Sequence, residues 1–150
     1  MSGFILNELL DKLPKRNTSD TSRFGSTLAL RVATADAKNR TVIYSYEVTE
    51  DEIFHGYLAS GWLSTIIDHA TEPLVCLTAT PPVSYTTSLN VHTLEPVLPG
   101  TRIEIACKLV QADGRLVQTT VAFRDAVRKS MVYATGVQSL ICKDSVGPKL

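Results

Sequence analysis

Between Gly56 and Leu77 the apolar residues recur at helical spacing. Trp62, Ile66, Ala70, Leu74 and Leu77 form one stripe, and Leu63 and Ile67 broaden it. The stretch therefore reads as one long helix, apolar on most sides and hence buried. Ser60 is the candidate N-cap, with a hydroxyl able to accept from free amides of the first turn. Pro73 lies inside the pattern, which predicts a kink near Thr71 and Glu72, and Thr80-Pro81-Pro82 closes the element. One carboxylate, Asp68, stands among Ile66, Ile67 and Ala70. An acid in such a helix must be paired or hydrogen-bonded. Its ordinary partner would be a polar neighbour, His69 or a residue of a second chain.

Elsewhere the pattern alternates. Leu28, Leu30 and Val32 read as a strand with one buried face, and 36–40 supplies turn chemistry before the β-branched and aromatic run TVIYSYEVT. Residues 50–55 connect into the helix. Downstream come strand candidates at 84–95, at 101–112 with Ile103, Ile105, Cys107 and Leu109, at 115–125 with Val117, Thr119, Val121 and Phe123, and at 130–141. Asp113-Gly114 marks a hairpin with a type I′ turn. At the N-terminus, Phe4, Ile5, Leu9, Leu10 and Leu13 predict a short amphipathic helix over 3–13, ended by Pro14. A polar linker carries the chain to residue 24, and residues 143–150 read as a flexible tail. The expected organisation is one α+β domain over 1–150, an antiparallel sheet closing on a long central helix.

Composition narrows the function without choosing it. The formal net charge is zero, with 15 Lys and Arg against 15 Asp and Glu, so neither nucleic acid nor an anionic membrane is the expected partner. No apolar run reaches the roughly 18 residues of a membrane span. Glu8 and Asp11 argue against a transit peptide, so a cytoplasmic location is expected, with mitochondrial import the alternative. Cys76, Cys107 and Cys142 are widely spaced and unpaired by motif, and the three histidines lack ligand spacing; reduced core thiols and no metal are expected. No cofactor is implied.

Two segments carry a family resemblance: GWLSTIIDHAT, and TTSLNVHTLEPVLPGTRIEIACKLVQADGRLVQTTVAFRD. Over about Thr41 to Leu140 the chain resembles the hotdog-fold acyl-CoA thioesterases, of the phenylacetate-pathway type and their mammalian relatives. Their pattern has His-Gly-Gly at the helix start, an acid two turns on, and a following strand of the type SLNV with a later Pro and Gly, here Pro96 and Gly100. Registered without gaps on Asp68, the His-Gly-Gly position holds Ala59-Ser60-Gly61. Ile53 stands where mammalian members have an Asn, and Thr86 where some members have a hydroxyl residue. A second registration puts His-Gly on His55-Gly56, with extra residues before Asp68.

The resemblance implies a hotdog fold and hydrolysis of an acyl-CoA thioester. Asp68 would be general base or nucleophile, Ser60 and Gly61 would supply backbone oxyanion donors, and Thr86 would orient water. It also implies a homodimer or dimer of dimers with the site in the interface, acid from one chain and donor from the other. His55, as a substitute donor, and Trp62, as a lining residue, are candidate substrate contacts. Lys108, Arg115, Arg124 and Arg128 are candidates for the coenzyme A phosphates. The rival is a hotdog domain without activity, an acyl-CoA binder or assembly subunit, motivated by the changed helix start. A dehydratase or isomerase of the same fold would need a His–acid arrangement that the sequence does not place.

Overall fold

The computed structural model describes residues 30–76, 83–113 and 115–143. The expected helix over 3–13, the linker and Leu77 to Pro82 lie outside the described residues. The strands are β1 (Arg31–Asp36), β2 (Thr41–Glu47), β3 (Ile53–Phe54), β4 (Tyr57–Leu58), β5 (Val83–Thr93), β6 (Arg102–Asp113), β7 (Leu116–Asp125) and β8 (Val132–Lys143); the helix α1 (Ser60–Cys76) separates β4 from β5. Six strands form one antiparallel sheet in the order β1-β2-β6-β7-β8-β5, and β3 pairs with β4 alone. Helix α1 packs on one face of the large sheet. This is the α+β architecture expected, a hotdog fold, with β6 to β8 forming the meander. The strand following the helix departs from chain order, since β5 crosses to the far edge beside β8.

The core follows the alternation read from the sequence. Val42, Tyr44 and Tyr46 of β2, Ile103, Ile105, Cys107 and Leu109 of β6, and Val117, Val121 and Phe123 of β7 point inward against Leu63, Ile66, Ile67, Ala70 and Leu74 of α1. Alternate residues of a strand share a face, so each strand gives its apolar half to the helix. The Tyr44 hydroxyl donates to the Ala70 carbonyl at 2.9 Å, tying the helix to β2, and burial pushes this phenol above its ordinary range. Val32 is 42% exposed, so the face expected to be buried on the first strand is open there. The last strand extends to Lys143, which removes that residue from the expected tail.

Helix α1 lies close to β8 because Gly136 allows it. A Cβ at Gly136 would stand 2.5 Å from Ile67 Cδ1, inside the fully buried part of the helix face. Gly136→Ala is expected to cost about 1–3 kcal/mol by overpacking. Because Ile67→Val deletes the clashing methyl, the double variant should be no less stable than Ile67→Val alone, which urea denaturation would read.

The β7–β8 turn is organised by Asp125. Its Oδ1 accepts from the amides of Arg128 at 2.7 Å and Val127 at 3.0 Å, and its Oδ2 accepts from the Tyr133 hydroxyl at 2.7 Å. The Arg128 amide first, then the Tyr133 hydroxyl, hold this carboxyl well below the usual carboxylate range. A carboxyl depressed in the folded state contributes stability above its unfolded value, near pH 4, and loses it as pH falls toward the folded value. The urea midpoint of the parent should therefore fall between about pH 4 and pH 2. Asp125→Asn should start lower at neutral pH and lose less over that acid window.

Candidate functional site

The helix does not begin where the apolar pattern does. Residues 53–58 form the β3–β4 hairpin, turning at His55 (φ 55°) and Gly56 (φ 92°), two consecutive left-handed residues as a tight hairpin requires. The Leu58 amide is bonded to Val97 O at 2.8 Å and the Ala59 amide to Glu52 O at 3.1 Å, so neither can enter helix. The Ala59 carbonyl accepts from the amides of Trp62 at 2.9 Å and Leu63 at 3.4 Å, which makes Ala59 the N-cap and Ser60 the first helical residue. The expected N-cap role of Ser60 is thus corrected. Among the described residues the amides of Ser60 and Gly61 donate to nothing, and a Cβ at Gly61 would meet only open space. This is a helix start with two free donors and a favourable dipole. Helix α1 then runs through Pro73 to Cys76.

The helix is also less apolar all round than expected. Gly61, Asp68 and Glu72 are exposed and Thr65 is half-buried, a stripe at spacings of four, three and four that is open to solvent. Asp68 is therefore on the surface of the chain and not in its core. Its partners are Thr86, whose Oγ1 donates to Asp68 Oδ1 at 2.7 Å, and Gln138, whose Nε2 donates to the same oxygen at 2.9 Å. His69, the partner considered from the sequence, forms no hydrogen bond with it among the described residues. Asp68 Oδ2 accepts no hydrogen bond among the described residues, and Asp68 lines a depression of about 380 Å³ together with His69, Glu72, Tyr85, Thr86 and Leu140.

Thr86 reaches this position through a β-bulge. On β5, Leu89 opposes Gln138 and Val91 opposes Gly136, so the odd-numbered residues face the helix. Strict alternation would turn Thr86 away. The register shift between Thr86 and Ser88 inserts Thr87 as an extra residue and sets Thr86 opposite the buried Leu140 on the helix-facing side. The Thr86 proton is engaged with Asp68.

Of the other candidates, Trp62 is half-buried and shares a depression with Ala59, Gly61 and Thr65, separate from that at Asp68. His55 is exposed at the hairpin tip, its ring 4.1 Å from that of Phe54. One chain thus brings Asp68 and Thr86 together and leaves Ser60, Gly61, Trp62 and His55 apart from them. Ile53 is half-buried in β3 and offers no donor. Lys108 and Arg124 flank a shallow depression on the opposite sheet face, and Arg128 is held by Asp125 at 3.4 Å. Burial pushes the Cys107 thiol up to about 12, the value of a packing group and not of a nucleophile. No group of three or more His, Cys, Asp and Glu residues suited to a metal occurs among the described residues, and no described helix is long and apolar enough to cross a membrane.

No protein-family model and no curated protein matches the chain. Solved structures do. The PaaI protein of the Escherichia coli phenylacetic acid degradation operon superposes with a TM-score of 0.77 at 10% identity, covering 96% of this chain and 97% of that one. Zebrafish thioesterase superfamily member 2 gives 0.70 at 16% identity, with 93% of each chain covered. A Streptococcus mutans UA159 protein bound to acetyl CoA gives 0.66 at 16% identity, covering 76% and 88%. At such identities the likeness is one of fold, and the chain has the hotdog fold of these thioesterase-type structures.

Proposed function

We propose that the chain is an acyl-CoA thioesterase whose site is completed by a second copy. The observation that carries this reading is the state of Asp68: it lines a surface depression, one carboxylate oxygen is held by two donors, and the other accepts no hydrogen bond among the described residues. The fold is shared with thioesterases, and acetyl CoA occupies the Streptococcus mutans relative. Acting as general base, Asp68 takes a proton from water as the water oxygen attacks the thioester carbonyl. The tetrahedral intermediate collapses with loss of the thiolate, which takes the proton back, giving a carboxylic acid and free coenzyme A. Acting as nucleophile, an Asp68 carboxylate oxygen would displace the coenzyme A thiolate to form an acyl anhydride. Water would then cleave it, regenerating the carboxylate and giving the carboxylic acid, with the second product leaving as free coenzyme A.

The oxyanion needs donors about 3 Å away. Ser60 and Gly61 have free amides, but they precede Asp68 by eight and seven residues. At about 1.5 Å per residue, they lie about 12 and 10 Å from it along the helix. No single carbonyl reaches both ends within one chain. Seven residues are close to two full turns, however, so Gly61 and Asp68 share a helix face. A two-fold axis passing near Ser64 and Thr65 would set each helix start opposite the acid of the other chain. The β5 edge, with Leu89 and Val91 half-buried, is where two sheets would join, which would also remove an open strand edge.

The rival, an acyl-CoA binder or assembly subunit, is favoured by Ile53, which puts an apolar side chain where a donor is expected. A panel of acyl-CoA esters assayed for free thiol release, with ligand-induced thermal shifts measured alongside, separates the two. Hydrolysis is the expected result, and shifts without hydrolysis would establish the rival.

A further inference from the structure

The Asp68–Thr86 pair is attached to a buried polar group that neither composition nor spacing marks. Gln138 of β8 is fully buried, in a core that is otherwise apolar on that face apart from Thr71 and Thr119. Its Oε1 accepts from the hydroxyls of Thr71 at 2.5 Å and Thr119 at 3.3 Å, and its Nε2 donates to Asp68 Oδ1 and to Thr86 Oγ1, both at 2.9 Å. The amide oxygen and nitrogen thus each have two partners within hydrogen-bond distance, and the Thr71 hydroxyl also stands 3.0 Å from the Ile67 carbonyl. An ionised carboxylate only accepts, so Asp68 requires the amide nitrogen to face it, and the two threonine hydroxyls hold the oxygen on the opposite side.

We propose that Gln138 is a positioning residue that selects the reactive oxygen of Asp68. It saturates Oδ1 together with Thr86, fixes the carboxylate plane from the core, and so presents Oδ2 to the substrate. With no exposed surface, Gln138 does not itself touch substrate. The inference rests on the thioesterase reading above, and it makes the core facing α1 part of the site: β7 and α1 supply the two hydroxyls that orient the amide.

Gln138→Met keeps the length and removes the hydrogen bonds. Steady-state hydrolysis is measured on straight-chain acyl-CoA esters from acetyl to palmitoyl, with thermal melting as the fold control. The expected result is a kcat lower by about tenfold with KM within about twofold, because an interaction made through the base is lost and ground-state binding is not. In the Asp68→Asn background the same substitution should have no further effect on kcat, since a residue acting through Asp68 has nothing left to act on. A purely structural role would lower both backgrounds alike, and that result, or an unchanged kcat in folded Gln138→Met, overturns the proposal while leaving the thioesterase reading in place. If Asp68→Asn itself hydrolyses at the parental rate, Asp68 is not the base and the proposal fails with it, whereas a parent protein that hydrolyses none of the esters removes the thioesterase reading. Should Gln138→Met not fold, Thr119→Val removes one of the two donors orienting the amide. A kcat lower by about threefold is then expected, and an unchanged kcat again overturns the proposal.

Discussion

Asp68→Asn is expected to lower kcat for acyl-CoA hydrolysis by about a hundredfold or more, the usual contribution of a positioned base. It should change folding stability by less than about 0.5 kcal/mol, as surface substitutions ordinarily do. The substitution is well matched to the site. The amide oxygen of the introduced side chain would take the place of Oδ1 and continue to accept from Thr86 and Gln138, so the surroundings need not rearrange. The amide nitrogen would replace Oδ2, and an amide nitrogen neither takes a proton from water nor attacks a carbonyl. Steady-state thiol release together with urea denaturation reads both halves. Parental hydrolysis by a folded variant would remove Asp68 from the chemistry.

Much of the fold is open to reading because β2, β6 and β7, which pack on the helix, also alternate. Ile103, Ile105, Cys107 and Leu109 face inward as their period of two requires. The helix start is less legible. Local pattern extends the helix back to Gly56, but Leu58 and Ala59 commit their amides to Val97 and Glu52, and the first of these contacts spans more sequence than any local window contains. Asp68 stands out in the sequence as the unusual residue, but for the wrong reason. Its apolar neighbours imply burial, whereas it lies on the exposed stripe Gly61-Thr65-Asp68-Glu72. The strong apolar stripe on the sheet-facing side hides this second one. Thr86 is suggested only by resemblance, since strict alternation points it away from the helix and one bulge residue reverses that. Gln138 has no signal at all. It lies 70 residues from Asp68 in sequence, and a glutamine in a strand reads as an ordinary outward-facing residue until its register with Leu89 is known.

If the site is shared between two chains as proposed, a second large effect is expected, one that no single-chain mechanism gives. Ser60 is the first helical residue, a position where proline is favoured because its nitrogen needs no intrahelical partner, and the preceding Ala59 is the non-helical N-cap. Ser60→Pro therefore removes one free donor with little strain on the helix. Loss of one oxyanion donor lowers kcat by about a hundredfold to a thousandfold, so this variant and Asp68→Asn should each be nearly inactive alone. Mixed so that subunits exchange, they should recover activity. A mixed dimer carries one site built from the intact acid of the Ser60→Pro chain and the intact helix start of the Asp68→Asn chain, and a second site lacking both. Random pairing makes about half the dimers mixed, so the mixture should reach about a quarter of parental activity per subunit, and the mixed species alone about half. Coexpression with two affinity tags, purification of the mixed species and thiol-release kinetics measure this directly. Each variant is disabled in a different half of the site, so complementation requires the acid of one chain to meet the helix start of the other. A mixed dimer no more active than its parents would place donor and acid in the same chain, against the distance of about 12 Å that the helix sets between Ser60 and Asp68.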